Sequence, residues 1–375
     1  MGQPLFQGDH RTMSCPDLKS AAPGGSGWAR FPKQRLLDFA IEFLVRRGVR
    51  ADRAARLSET AVAAEAFGIH THGLVLIPYW DRFIGSRIDP GAEPRVVKER
   101  AATALIDGAG GFGQLALALA RDLAADKARQ CGVATVAGTN LSWLAALGPQ
   151  ILPLSQAGLF AQLWVQNNTC KDCAPWGGID ARFSTNPVAF TFPTGGLPML
   201  SDFSSAALSM GKTRAMIRRG ELAPENLFMD KKGCPTRDPR VVPEGGSIFH
   251  LGGERYGYRG YALSLWAEAL TAMAGGSANN PDVPDRQTFC LTVTDPAAFA
   301  GGDYYYREMA RFIAHLRASR LRPGFDAILL PGERAQRAAE EAETHGILVE
   351  DRLVELLSET ARRNGLAPLT SGDRT

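Results

Sequence analysis

The sequence predicts a mixed α/β fold, on three observations. Amphipathic stretches at helical spacing alternate with short apolar runs of strand length, and a glycine-rich turn joins one such run to a helix. The bulk composition is that of a globular chain: of 375 residues, 45% are hydrophobic and 22% charged, enough for a large core and two or three domains. The 42 basic and 39 acidic side chains leave a formal net charge of +3, which gives no electrostatic footprint for nucleic acid or an anionic membrane. No apolar stretch reaches the ~20 residues needed to span a bilayer.

Residues 1–30 are polar and rich in Gly, Ser and Pro, without the apolar core of a secretory signal, and read as a disordered leader. From Phe31 onward Leu36, Leu37, Phe39, Ala40, Phe43 and Leu44 recur at helical spacing until Gly48 stops the run. A second helix over 52–67 ends at Gly68. The loop Gly68-Ile69-His70-Thr71-His72-Gly73 follows, and its flanking glycines permit backbone shapes suited to a positioned site residue. A strand over 102–106, a glycine turn, a helix over 114–131 and a strand over 133–137 come next, then buried strands over 159–165 and 188–192. Beyond Pro198 the chain turns at Gly233, Pro243 and Gly252. It continues with a buried helix over 261–273, a surface loop over 275–284, a strand over 288–293 and amphipathic helices over 305–321, 335–345 and 351–363. The six cysteines (Cys15, Cys131, Cys170, Cys173, Cys234, Cys290) are scattered, the pattern of reduced thiols in a cytoplasm. Cys170 and Cys173 form a lone pair with no second pair to complete a zinc site.

Gly108-Ala109-Gly110-Gly111-Phe112-Gly113 matches the spacing of a dinucleotide-binding loop between a strand and a helix. The acidic residue expected at the end of the second strand is absent, since 133–137 runs into Gly138-Thr139. A nucleotide loop and a plain tight turn both remain open on spacing alone.

Several local sequences, in order along the chain, resemble the malate/L-lactate dehydrogenase type 2 family, which includes ureidoglycolate dehydrogenases, diketogulonate reductases and piperideine-carboxylate reductases. They are Thr71-His72-Gly73-Leu74 with Pro78-Tyr79 and Gly85; Leu105-Ile106-Asp107-Gly108 with Gly113; and Pro175-Trp176-Gly177-Gly178 with Thr185-Asn186-Pro187. Further on come Asp202-Phe203-Ser204-Ser205 with Gly211-Lys212, a stretch over 230–239, Tyr258-Arg259-Gly260-Tyr261, and Leu330-Pro331-Gly332-Glu333-Arg334 with Gly346-Ile347. The resemblance implies a non-Rossmann α/β fold with a largely antiparallel central sheet, a discontinuous cofactor-binding domain and flanking helical segments. On this reading a helical and dimerisation portion comprises 31–130 plus 310–375, and a cofactor-binding and catalytic portion comprises 131–309. It also implies a homodimer with the active site near the subunit contact, and NADPH or NADH as cofactor. The cofactor would lie against Pro198, Leu200, Asp202 and Ser204, the Arg259-Gly260 turn, and Gly332, Glu333 and Arg334; the fingerprint-like glycines would then be structural.

Reduction of a C=O or C=N bond needs a hydride and a proton. Histidine suits the second task because both its forms exist near neutral pH. The resemblance assigns proton donation to His72, with Asp202 either orienting His72 or the nicotinamide amide, or capping a strand end. Thr185 and Asn186 are candidates for binding substrate, against plain turn chemistry before Pro187. His70 stands two residues from His72, but without a Cys or carboxylate at supporting spacing no metal is expected. Two positions depart from the family pattern. Leu76 stands where the family has a substrate-binding arginine, and Trp143, in Thr139-Asn140-Leu141-Ser142-Trp143, stands where it has a histidine. Both changes replace polar recognition with apolar surface; Arg82 is a possible stand-in for the lost cation. The expected activity is therefore NAD(P)H-dependent reduction of a small molecule that is not a simple 2-oxo acid. A redox-silent or repurposed homologue is the alternative.

Overall fold

A computed structural model describes residues 27–168, 170–276, 286–370 and 373. Strand β1 (Trp28–Phe31) leads into helix α1 (Lys33–Arg46), which buries Leu36, Phe39, Ala40, Phe43 and Leu44, one face of a 3.6-residue repeat. Helix α2 (Ala51–Ala66) lays Ala54, Leu57, Ala61 and Val62 against it. A turn then delivers the short helix α3 (Leu76–Phe83), whose Leu76, Ile77 and Trp80 enter the same core.

The central sheet follows. β2 (Arg95–Glu99) is a fully exposed edge, paired with β3 (Thr103–Asp107). Helix α4 (Gly113–Cys131) crosses from β3 to β4 (Val133–Leu141), and these two strands are parallel. Helix α5 (Gly148–Gln156), β5 (Phe160–Asn167), β6 (Pro187–Phe192) and β7 (Met199–Ser204) continue the layer. After α6 (Met210–Arg219) come the short strands β8 (Phe228–Met229), β9 (Pro235–Thr236) and β10 (Ser247–Ile248), forming a three-stranded sheet of their own. α7 (Gly253–Tyr256) and α8 (Tyr258–Ala272) precede β11 (Gln287–Thr294), which inserts between β4 and β5. The seven-stranded order is β2-β3-β4-β11-β5-β6-β7, and every neighbour pair except β3/β4 is antiparallel. Gly138 of β4 lies under the Phe289 ring, where a Cβ would collide with it, so this central strand needs glycine for packing. Ile106, Leu117, Val136, Ile151, Leu163 and Leu291 fill the space between the sheet and α4–α5.

α9 (Gly302–Arg317), α10 (Glu333–His345), β12 (Ile347–Glu350) and α11 (Asp351–Arg363) close the chain. β12 pairs antiparallel with β1, Phe31 opposite Ile347, and α11 returns Leu353, Val354 and Leu357 to the core of α1–α3. Residues 28–30 are thus a paired strand, which corrects the expectation of a disordered leader reaching residue 30. Residues 1–26, including Cys15, lie outside the described residues, as does most of the loop expected over 275–284. A second correction concerns α8. It buries only Gly260, Ser264, Ala267 and Thr271, a stripe of small residues, and exposes Leu265, Trp266 and Met273, with Trp266 61% accessible. Apolar character all round made the sequence read as a buried helix, yet one face meets no other part of the described chain. Among the described residues no helix is long and apolar enough to cross a membrane.

The glycine-rich turn between β3 and α4 is closed by its own chain. Asp107 Oδ1 accepts bonds from the Ala109 amide at 2.8 Å and from Asn140 Nδ2 at 2.9 Å. A Cβ on Gly108 would lie 2.8 Å from the Asn140 carbonyl, and one on Gly111 2.7 Å from Ala92 Cβ. The space that such glycines leave for a phosphate in a nucleotide loop is filled here by protein.

Candidate functional site

The loop after α2 is built around one buried carboxylate. Glu65 Oε2 accepts from the Leu74 amide at 2.9 Å and Oε1 meets His70 Nδ1 at 2.6 Å. Gly73 packs directly on Glu65, where a Cβ would overlap the carboxylate and come within 2.9 Å of the Glu65 amide nitrogen. With residues 70 and 74 fixed, His72 projects between them. Its amide bonds the Ile69 carbonyl at 2.9 Å, and its Nδ1 lies 2.7 Å from Thr71 Oγ1. A Thr71 hydroxyl donating to Nδ1 leaves the proton on Nε2, which has no protein partner among the described residues. Burial lowers the His72 pKa to about 4, and the positive charge of Lys212 adds to the fall. The imidazole is therefore neutral near pH 7 in the free protein.

Aromatic rings and the start of α6 form the walls. Trp143 stands 5.2 Å from His72, ring centroid to centroid, and the same distance from Tyr79 of α3. The loop carrying Trp143 is tied to α4 by Gln114 Nε2 on the Trp143 carbonyl at 2.9 Å, and to β11 by the Leu144 amide on Gln287 Oε1 at 2.7 Å. Asn140 and Ala145, on either side of it, hold left-handed φ values of 55° and 61°. On the opposite side Gly211 presses against the loop: a Cβ there would lie 3.0 Å from Thr71 Cβ and 3.2 Å from His72 Cε1.

Asp202, on the edge strand β7, does not bond to His72. Its Oδ2 accepts from the Leu147 and Gly148 amides, at 2.9 and 2.7 Å, at the N-terminus of α5. Desolvation raises the carboxyl's pKa and the two amides oppose that rise; the residue itself keeps exposed surface. The geometry thus carries the capping role. The Leu200 amide bonds the Pro331 carbonyl at 2.9 Å, and Gly332 (φ 82°) sits on Leu200, where a Cβ would be 2.6 Å away. Gln336 Nε2 bonds the Pro198 carbonyl at 2.8 Å. A groove of about 570 Å³ opens there, lined by residues 194–198 and by Tyr306, Ile313, Arg317, Leu330 and Glu333. Glu333 is buried and fully engaged. It accepts from the Leu330 amide, which chiefly lowers its pKa, and pairs with Arg317 and Arg337. Arg334 is exposed beside it.

The structure thus sets Trp143 against His72, ties Asp202 to the Leu147 and Gly148 amides further along the Trp143 loop, and brings Pro198, Leu200, Gly332 and Glu333 together at the groove. Several expected residues are placed otherwise. Leu76 is 0% exposed, packed in the helical core rather than lining the site, because the helical phase of α3 turns it inward. Arg82 is exposed and stacks over Phe83 rather than reaching His72. Asn186 is buried, with its Nδ2 bonded to Glu268 Oε1 at 2.8 Å, so its amide is used in the fold. The Thr185 carbonyl is held by the Ser204 and Ser205 hydroxyls, both at 2.9 Å, which also commits Ser204. Gly260 lets α8 meet backbone, since a Cβ would fall 2.6 Å from the Ser205 carbonyl, while Arg259 stacks over Tyr256 and Tyr258. Sequence reasoning missed Thr71 and Lys212, although both stand inside quoted motifs. It also missed the α9 face of the groove, which no local signal marks.

Residues 31–358 match the family model described as malate/L-lactate dehydrogenase. The chain is 31% identical over 349 residues to a Δ1-pyrroline-2-carboxylate/Δ1-piperideine-2-carboxylate reductase of Pseudomonas putida, covering 90% of this chain and 99% of that one. It is 33% identical over 340 residues to a protein of the same description from Pseudomonas syringae pv. tomato, covering 87% and 95%. The solved malate dehydrogenase of Pyrococcus horikoshii OT3 superposes with a TM-score of 0.82 at 26% identity, over 92% of this chain and 99% of that one.

Proposed function

The chain belongs to the malate/L-lactate dehydrogenase family, a family of oxidoreductases, and from that premise we propose that it reduces the C=N bond of a cyclic imine with NADPH or NADH. The observation that carries this reading is His72. It is a desolvated imidazole held through Nδ1 by Thr71, with Nε2 left without a protein partner among the described residues, beside an apolar wall of Trp143 and Tyr79 that suits a flat, weakly polar ring better than a small hydrated oxo acid. The two relatives described as imine reductases support it.

The reduced nicotinamide supplies a hydride to the carbon of the C=N bond. The π pair passes to nitrogen, which takes one proton, so imine, hydride and proton give the amine. Within this scheme His72 delivers the proton from Nε2 while Thr71 fixes the ring through Nδ1. Trp143 and Tyr79 exclude water and stack against the substrate. The groove at 194–198 is the candidate dinucleotide site: the glycines at 195 and 196 are exposed, and Tyr306 and Ile313 offer an apolar face. Pro198, Leu200 and Gly332 would hold the dinucleotide there, with Asp202 fixing the α5 terminus beside it. The division into a helical portion and a cofactor-binding portion goes with this reading. So does a homodimer, supported by the uncovered Leu265, Trp266 and Met273 face of α8. The thiols Cys131, Cys173, Cys234 and Cys290, free among the described residues, support a reducing compartment, the cytoplasm.

The test is NADPH and NADH oxidation by purified protein with Δ1-piperideine-2-carboxylate, pyruvate and oxaloacetate. Imine turnover exceeding oxo-acid turnover at least tenfold is expected, with His72→Asn losing it. Faster turnover of pyruvate or oxaloacetate refutes the reading. Cofactor binding without turnover of any substrate returns the redox-silent alternative.

A further inference from the structure

Few charged groups face His72. On its own loop, Glu65 is spent on His70 and the Leu74 amide. From β7, Asp202 is spent on the α5 terminus. α3 and the loop around residue 143 present Tyr79 and Trp143, which carry no charge at neutral pH, and Leu76 is buried. The charge that reaches His72 comes from α6, whose first turn touches it through Gly211. The next residue, Lys212, is exposed, and its ammonium makes no ion pair or hydrogen bond among the described residues. Its amide is capped by Ser209 Oγ, so the positive end of a ten-residue helix lies at the same place. A cation without a counter-charge thus borders an apolar site that holds a neutral acid–base group.

We propose that Lys212 is the anchor for an anionic group of the substrate, a carboxylate in chemical class. This deepens the reductase reading and rests on it. Burial is the larger cause that keeps His72 neutral; a carboxylate seated on Lys212 offsets the part that Lys212 adds and contributes a field of opposite sign, so the imidazole's pKa rises when the substrate arrives. The proton on Nε2 then passes to the imine nitrogen as the hydride reaches carbon, and solvent restores the imidazole's starting state. An uncharged imine lacks this coupling and meets a histidine that is a poor acid.

The experiment compares wild type, Lys212→Met and Lys212→Arg on Δ1-piperideine-2-carboxylate and on uncharged Δ1-piperideine with NADPH. The His72 Cε1–H resonance is titrated in parallel without cofactor, free and saturated with pyrrole-2-carboxylate, a planar analogue that cannot be reduced. Lys212→Met should lose roughly 10–100-fold in kcat/KM on the carboxylate relative to the uncharged imine, the range for one charge-assisted contact, with no loss on the uncharged imine itself. Lys212→Arg should recover most of the loss. The His72 midpoint should be higher in Lys212→Met than in wild type, and the analogue should raise it in wild type only. An unchanged midpoint in Lys212→Met, or a carboxylate preference that survives the substitution, overturns the inference. If wild type reduces neither imine, the reductase reading falls, and the titration by itself decides the role of Lys212.

Discussion

Removing the Glu65 carboxylate should unfasten the active loop. Its side chain has no exposed surface, and each oxygen has one partner: His70 Nδ1 at 2.6 Å and the Leu74 amide at 2.9 Å. In Glu65→Ala the buried Leu74 amide loses its acceptor, which costs about 1–3 kcal/mol, and the lost His70 pair and the void add to it. The sum is about 3–5 kcal/mol, the upper end of the range for one core truncation that also strands a buried donor. Glu65→Gln is a sharper probe because it keeps the volume. Its one carbonyl oxygen can accept from Leu74 while its NH2 donates to His70 in the other tautomer, so the loss should be only about 1–2 kcal/mol. Urea unfolding of both variants reads these costs, and turnover reads the consequence two residues from the anchor. Glu65→Ala should lose activity together with stability, while Glu65→Gln keeps most of both. Equal stability of Glu65→Ala and wild type, or Gln as damaging as Ala, would refute the anchoring role.

Two further outcomes follow from the same site. His72 has a folded pKa of about 4 against 6.5 for the free side chain, so between these values the unfolded chain binds a proton that the folded chain does not. Stability is intact above about pH 6.5 and falls as the pH drops to 4, by roughly 3 kcal/mol for the whole shift. His72→Asn should flatten that part of the curve, and an unchanged slope in urea midpoints between pH 7 and 4.5 would show the shift absent. Leu76→Arg should destabilise by several kcal/mol, since it exchanges a fully buried leucine for a charge without a partner, and it should bring no oxo-acid turnover. A variant as stable as wild type that gains pyruvate reduction would mean that Leu76 faces the site after all.

Elements that bury one face against their neighbours were legible from periodicity. The expected helix over 351–363 matches α11 residue for residue, that over 114–131 differs from α4 by one residue at its start, and that over 52–67 is shifted from α2 by one residue at both ends. The strand of 288–293 was legible as a strand but not as the centre of the sheet, because its partners β4 and β5 lie more than a hundred residues away. β2 escaped notice since all five of its residues are exposed and it has no buried face to alternate with. α3 and α5 are short, and α5 contains Pro153, so propensity argued against a helix that tertiary packing nonetheless holds.

At the site, the sequence could mark residues but not the directions they face. His72 was visible because a loop between glycines had a use for it, and the structure adds the reason Gly73 is needed: any side chain there would strike Glu65. Leu76 stands just past one matching motif and Asn186 within another, yet both point into the fold, and motif spacing carries no phase for a helix three residues later or for a buried turn. Asp202 is the clearest case. Orienting His72 and capping a helix both require a carboxylate at the end of a strand, and they differ only in which donors arrive through space. Those donors, the Leu147 and Gly148 amides, come from 54 and 55 positions earlier. They come on the loop that also carries Trp143 and holds Asn140 and Ala145 in left-handed conformations. Non-glycine residues keep such backbone only where surrounding contacts over-determine it, and here Asp202, Gln114 and Gln287 grip the loop from three elements. The departure at Trp143 is therefore more than a side-chain replacement. The indole reaches His72 on a strained segment that Asp202 holds in place, so an apolar wall and a capping aspartate belong to one device, which under the proposed function shapes the substrate pocket.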